Sequence, residues 1–582
     1  MLGSHQKTGL QRVGRRRDTF PSPNRFLVFA SRPLSCATLL LMVACGRGDT
    51  ATSDGTPRFA MTEVAAPSGL VFTPTSGGTP TSQLLEVKSG GLALIDYDGD
   101  GDLDVFVPNG ATLDAPMQGP GARLFENLGD MKFQDSTEAA GLELQRWSMG
   151  CAVGDIDGDG RDDLFVACFG RNALFRSRAD GTLEDITDTA GLTREDWSTS
   201  AAFGDLDGDG DLDLYVTNYV EFDPAAPPSP MNFRGARVFG GPMGLPGVGD
   251  RVHENLGDGR FRDVTAAWGF DAVEPSFGLG VVVLDLDGDA RAEVLVGNDS
   301  QPNFLFQRGD DGRFRDVGLD SGLALDENGW GQATMGIAIG DVNGDGRPDV
   351  FSSNFMSDHD TLHVNLGGLR FDDHSRRSGL ALATTPFLGW GCAFVDLDQE
   401  GTEELLVFHG HVYPETITAP MGWRRDQEPQ LFERVEQRWV QVPPEDGGAW
   451  LSNAHRDRGA AFGDLDGDGD LDVVVHELAG PVRLLRNDAA VGSWLRVGLR
   501  DERSGIGNRR GLGAQVTVSW GTETRHRWIA SGTSYQSASA MEAHFGLGQD
   551  PGPLQVDVRW PDGHVQTLDA VTAGQVLEVV RK

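Results

Sequence analysis

The chain has 582 residues and a formal net charge of −38, from 87 acidic and 49 basic side chains. Such a surface repels a phosphate backbone, so nucleic acid is excluded as the natural partner and cations are the complement. The 79 glycines argue against long helices, where each Gly costs about 1 kcal/mol, and favour turn-dense β-structure.

Taken in chain order, residues 1–45 read as an export signal. Arg15-Arg16-Arg17 precedes an apolar run from Leu34 to Ala44, well short of the ~20 residues that span a bilayer as a helix. The run ends in Leu41-Met42-Val43-Ala44-Cys45, which resembles a bacterial lipobox, with Met42 where Leu is usual. That resemblance implies lipidation at Cys45, membrane contact only through that anchor, and a place in the cell envelope, on the outer membrane; free secretion is the alternative. Residues 46–57 form a linker. Arg47-Gly48-Asp49 matches an integrin-binding tripeptide, but beside an acylated Cys it is poorly accessible and carries no weight.

From residue 58 to 490 one pattern recurs seven times, 50 to 80 residues apart, a period that indicates a propeller or array. Each copy has acids at alternate places in a nine-residue loop. The copies comprise Asp96, Asp98, Asp100, Asp102 and Asp104; Asp155, Asp157, Asp159, Arg161 and Asp163; Asp205, Asp207, Asp209, Asp211 and Asp213; Asp285, Asp287, Asp289 and Glu293; Asp341, Asn343, Asp345, Arg347 and Asp349; Asp396, Asp398, Glu400 and Glu404; and Asp464, Asp466, Asp468, Asp470 and Asp472. Four or five acids so close repel one another unless a counter-ion is present. A hard cation such as Ca²⁺ takes six to eight oxygens, and a tight loop with acids at positions 1, 3 and 5 supplies them. Position 7 holds Arg in three copies, so it is expected to offer its carbonyl and not its side chain. Position 6 is Gly in all but the fourth copy, as a positive φ requires. The plainer reading, Asp-Gly turns with local hydrogen bonds, accounts for one or two acids per turn. Five full copies are expected to bind Ca²⁺ strongly. Copy 4, with Ala290 at position 6, and copy 6, with Gln399 and Glu400 at positions 4 and 5, are expected to bind weakly or not at all.

Before each loop lies a small apolar stretch such as Gly150-Cys-Ala-Val-Gly154, and after it a β-branched or aromatic run. A third strand follows, then a fourth such as Phe261-Arg-Asp-Val-Thr265. Four short strands per repeat make a propeller blade. The seventh repeat lacks its fourth strand, and Arg58 to Thr62 supplies the missing pattern at the other end, which predicts ring closure and removes a sheet edge. The fold is therefore expected to be all-β: a seven-bladed β-propeller, then a small β-sandwich or barrel over 491–582, where Gln515–Ser519 and Gln555–Arg559 alternate apolar and polar residues.

Among the remaining features, Asp223 to Gly249 is a Pro- and Gly-rich insertion, a partner-binding loop or a passive excursion. Cys151 and Cys168 flank one loop and allow a cross-strand disulfide, although two buried thiols suit the burial habit of Cys better. No catalytic motif occurs. His409-Gly410-His411 is the best candidate for metal or acid–base chemistry, and a loop-structuring role is the competing reading.

The Asp loops resemble FG-GAP/VCBS repeats, as in integrin α-subunit propellers, where such loops bind calcium. Gly389-Trp-Gly-Cys-Ala-Phe-Val-Asp396 with His409, His411 and Pro414 resembles the cartilage acidic protein family and its bacterial members. Ser493-Trp-Leu-Arg-Val497, Gly511–Val516, Ser531-Gly-Thr-Ser-Tyr-Gln536, His544–Gly548 and Val558–Gly563 resemble the ASPIC/UnbV domain. The combined expectation is a non-enzymatic adhesion or interaction module for an extracellular protein or glycan. A calcium-dependent polysaccharide lyase and a structural envelope component are the alternatives.

Overall fold

The computed structural model describes residues 58–582 except 234, 490 and 491. The predicted signal, Cys45, Arg47-Gly48-Asp49 and the 46–57 linker lie outside the described residues.

Seven antiparallel blades of four strands account for the repeats. In blade 2 the strands are Ser148–Gly154, Asp163–Arg171, Ala173–Ser177 and Leu183–Asp185. The first strand is buried throughout and the second over most of its length, because neighbouring blades cover both faces; this is why the sequence reads there as continuous apolar runs. The fourth strands, such as Phe261–Asp263, bury one residue and expose two, as the outer edge of a ring demands. Met61–Glu63 completes the seventh blade, pairing with Arg483–Asn487 in the register Met61↔Asn487. The closing strand thus starts three residues later than Arg58.

The axis is set by absent side chains. Each first strand of blades 2 to 7 breaks register near its outer end, for example between Ser148 and Cys151. Near those breaks lie Gly150, Gly280, Gly336, Gly391 and Gly459. A Cβ at Gly336 would stand 2.1 Å from the Trp390 carbonyl oxygen of the next blade, and one at Gly459 2.4 Å from that of Gly90. In blade 3 Thr199 takes this place and donates its hydroxyl to Gly278 O at 2.7 Å.

The C-terminal domain is a two-sheet sandwich. One sheet sets Ser493–Asp501 between Ala543–Gly548 and Gln575–Arg581; the other runs Glu523–Trp528, Gln515–Trp520, Leu554–Arg559, Val565–Val571. Between Trp528 and Ala543 the chain leaves the sandwich and enters the ring. Ala538 pairs with Leu92 and Leu94 of blade 1, Gln536 O accepts from Cys151 N of blade 2, and Ser534 exchanges two backbone bonds with Ile337 of blade 5. Ser531 Oγ accepts from Phe203 N of blade 3 and Ser539 Oγ from Phe462 N of blade 7. Tyr535, fully buried, meets Trp390 of blade 6 edge-on at 4.8 Å. One short segment therefore plugs the axial channel and touches nearly every blade.

The possible disulfide does not form. The bulge sets Cys151 opposite Val166 and Cys168 opposite Ser148, and both cysteines are buried free thiols.

Candidate metal centres

Every Asp loop joins the first and second strands of its blade, so all seven lie on one face of the ring. Within a loop the first acid organises the turn. In blade 2, Asp155 Oδ1 accepts from Gly158 N at 2.8 Å and Asp159 N at 3.1 Å, and Oδ2 from Gly160 N at 2.8 Å. Positions 4 and 6 both take positive φ, as at Gly158 (71°) and Gly160 (90°); the sequence reading had assigned that need to position 6 alone.

The turn gathers acids from positions 1, 3 and 9. Carboxylate oxygens of Asp96, Asp98 and Asp104 lie within 4.8 Å of one another, as do those of Asp155, Asp157 and Asp163, of Asp205, Asp207 and Asp213, and of Asp396, Asp398 and Glu404; in blade 4 the trio is Asp285, Asp287 and Asp289. Burial, resisted by the Gly160 amide and aided by like charge, lifts the position-1 carboxyl of Asp155 to about 7, and burial, then like charge, lifts the position-7 carboxyl of Asp211 to about 8. Burial, opposed in part by backbone amides, lifts Asp104 to about 8 and Asp349 to about 7, and pushes Asp163, Asp213 and Asp472 well above the usual carboxylate range. Asp157 Oδ1, Asp211 Oδ1 and Asp470 Oδ1 are buried oxygens without a hydrogen-bond partner. Oxygens crowded at this spacing, some unpartnered, fit a hard divalent cation.

Position 9 also has a structural task. Asp163 accepts from Ile156 N and Ser177 N, and Asp213 from Leu206 N and Asn255 N, so each ties its loop to the third strand. At that strand the structure adds a residue type the sequence reading missed. Asn255 Nδ2 donates to Ile156 O of the preceding blade at 2.8 Å; Asn365 reaches Leu286 O and Asn487 reaches Leu397 O in the same way, both at 2.8 Å, and Asn127 reaches Leu465 O at 2.9 Å. The recurrent Asn before a turn was the available signal.

Position 7 divides the loops. Arg161, Arg291 and Arg347 fold back onto the position-5 carboxylates Asp159, Asp289 and Asp345. Where position 7 is acidic, charge accumulates: burial, then Asp468 and Asp472, pushes Asp470 up to about 10. The side chain there, expected to be immaterial, tunes the charge of the loop.

Blades 4 and 6 bear the marks of their departures. Ala290 is held at φ 68° and Gln399 at φ 55°, where a Cβ is strained. In blade 6 the guanidinium of Arg58 reaches Asp398, pairs with Glu400 at 2.9 Å and Glu433 at 2.6 Å, and lies 4.0 Å from Glu404.

The sandwich docks on this same face. Arg496 pairs with Asp464, Arg510 with Asp162 at 2.9 Å, and Gly546 N donates to Asp396 Oδ2 at 3.1 Å. The opposite face carries the 223–249 insertion, an ordered excursion with a ribbon of Met231–Phe233 and Ala236–Val238; its Phe239 meets Tyr413 of blade 6 edge-on at 4.9 Å. His409 and His411 are buried there and held neutral, both pushed down to about 3 by burial, aided at His411 by the Arg458 charge and resisted at His409 by its bond to Glu428 O. Each ring has its own neighbours: His409 Nδ1 lies 3.0 Å from Glu428 O, while His411 Nδ1 accepts from Tyr413 N and its ring stacks on Trp423.

FG-GAP-like repeats match residues 96–166, 155–216, 285–352 and 341–407, spans that take in six of the seven loops, and the ASPIC and UnbV family matches 505–582. The chain thus carries FG-GAP-like repeats followed by an ASPIC and UnbV domain. Cartilage acidic protein 1 of Xenopus tropicalis is 27% identical over 516 residues, 84% of this chain and 73% of the relative. The Homo sapiens protein is 27% identical over 84% of this chain and 72% of its own length. A solved Agrocybe aegerita lectin that recognises non-reducing terminal N-acetylglucosamine covers 69% of this chain at 15% identity and TM-score 0.38, too loose an overlap to carry an argument. No helix among the described residues is long and apolar enough to cross a membrane.

Proposed function

We propose that the protein is an extracellular interaction module of the cell envelope, rigidified by calcium on one face of its ring and binding a protein or glycan through the other. The observation that carries the reading is the plug. The sandwich stacks on the Asp loops and its 531–540 segment fills the axis, so the loop face is committed to holding the molecule together. The opposite face, with the insertion and the exposed Trp330 (72% accessible), is left for a ligand. Five loops, in blades 1, 2, 3, 5 and 7, would hold Ca²⁺ through acids 1, 3, 5 and 9, with blade 4 weaker. Calcium would supply fixed positive charge and no chemistry of its own, and the module is not an enzyme.

A glycan array and a pull-down from native envelope, run with the parent and with residues 226–246 replaced by a short Gly-Ser turn, test the binding face. Binding lost at an unchanged melting temperature supports the reading. Binding indifferent to the replacement, or turnover of a polysaccharide, overturns it.

A further inference from the structure

Several loops are approached by cations of the chain, as Arg496 meets Asp464 and Arg559 lies 3.5 Å from Asp285, but in the sixth one guanidinium spans three of the loop's acids. Arg58 comes from the segment that leads into the closing strand Met61–Glu63. Its guanidinium spans acids of positions 3, 5 and 9, namely Asp398, Glu400 and Glu404, and is clasped from the third strand by Glu433. Beside it Asp396, 1% accessible, keeps Oδ1 without a hydrogen-bond partner. Among the described residues, no other loop is met this way by the N-terminal segment. In blades 2, 4 and 5 the arginine belongs to the loop and, of the loop's own acids, pairs with that of position 5; Arg291 also lies 3.6 Å from Asp310. A guanidinium is a permanent, planar cation with several donors, suited to bridge carboxylates as an ion would.

We propose that Arg58 is the resident cation of the sixth loop: it occupies the place that calcium takes in the full loops, and it fastens the N-terminal strand to blade 6 across the seam of the ring. Calcium and Arg58 therefore compete for one set of carboxylates. Loop 6 takes no calcium while the latch is closed, and calcium entering it releases the strand. The inference rests on the calcium reading of the other loops only for its competition arm; the latch stands on the ion pairs.

The test uses the full chain, stripped with EGTA and dialysed against Ca²⁺, with bound ions counted by native mass spectrometry. Arg58→Gln is expected to bind one ion more than the parent, and Arg58→Gln with Asp398→Asn and Glu400→Gln to return to the parent count. Equal, non-zero counts in the parent and R58Q overturn the competition. Zero counts in both overturn the calcium reading instead, and the latch is then judged by hydrogen exchange in EGTA. There, R58Q is expected to speed exchange of the Thr62 and Val64 amides about tenfold, as local opening of a terminal strand would. Unchanged exchange overturns the latch.

Discussion

Loops 2 and 6 trace the same turn and meet their cations differently: in loop 2 Arg161 sits on Asp159 and Arg176 lies 3.6 Å from Asp157, whereas in loop 6 the single Arg58 spans three acids. In loop 2 three backbone amides converge on Asp155, while Asp157 keeps a buried oxygen free. In loop 6 Gln399 replaces Gly, Glu400 replaces Asp, and Arg58 spans the acids. The difference teaches that the repeat keeps a backbone shape, and that on the proposed calcium reading its cation comes from solution in one loop and from the chain in another. Loops of the first kind make stability depend on the medium; a loop of the second kind makes it depend on where one strand lies.

Calcium removal is the widest test of that contrast. At a tenfold excess over Kd, each loop gains about 1.4 kcal/mol, so five together gain about 7. With an unfolding entropy of about 1.1 kcal/mol per degree for a chain of this size, EGTA is expected to lower the melting temperature by about 6 °C, and an unchanged transition would break the comparison at its root. Single loops come next. Asp155→Ala strips an acceptor from three amides and is expected to cost about 2–3 kcal/mol in calcium, with one ion fewer bound. Asp398→Ala should cost less, and equally with or without calcium; denaturant midpoints in both buffers decide this.

A pH series follows in size. Asp104, Asp155 and Asp349 are raised in the folded chain to about 7–8, from about 3.9 when unfolded. The folded state then holds more protons than the unfolded state between those values, so without metal, stability falls as pH rises from about 4 to 8. Calcium replaces those protons, and its stabilisation should grow over the same window. Melting in EGTA that climbs with pH would contradict this. The smallest effect belongs to blade 4. Ala290→Gly relieves a φ of 68° and is expected to stabilise by about 0.5–1 kcal/mol, the left-handed penalty less the added entropy of the unfolded chain.

The ring and its closing strand were legible in the sequence because their signals are local and repeated: nine-residue loops, apolar runs between blades, and a fourth-strand pattern displaced to the start, where Met61 takes the place that Phe261 holds in blade 3. What escaped has no period. Ser531-Gly-Thr-Ser-Tyr-Gln536 is short, polar and single-copy, and its role as a plug depends on blades far away in the chain. The Asn255-type bonds join neighbouring blades, so one repeat read alone cannot reveal them. Arg58 looked like the edge of a strand because ion pairs to blade 6 leave no trace in spacing. His409 and His411, by contrast, are buried with different neighbours on Nδ1, and each keeps Nε2 without a hydrogen-bond partner.

The plug also governs the order in which this molecule can come into being. Tyr535 donates its hydroxyl to Lys88 O at 2.7 Å, across 447 residues of sequence, and the closing strand joins the chain's start to its seventh blade. The blades must therefore wait, open at the seam until residues 485–487 and at the axis until Tyr535 have arrived. Contacts of such separation slow folding and leave partly built sheets open to mispairing. Acidic loops that repel one another in the meantime would keep those nascent blades apart, and cations taken up by the full loops, on the proposed reading, would then relieve that repulsion.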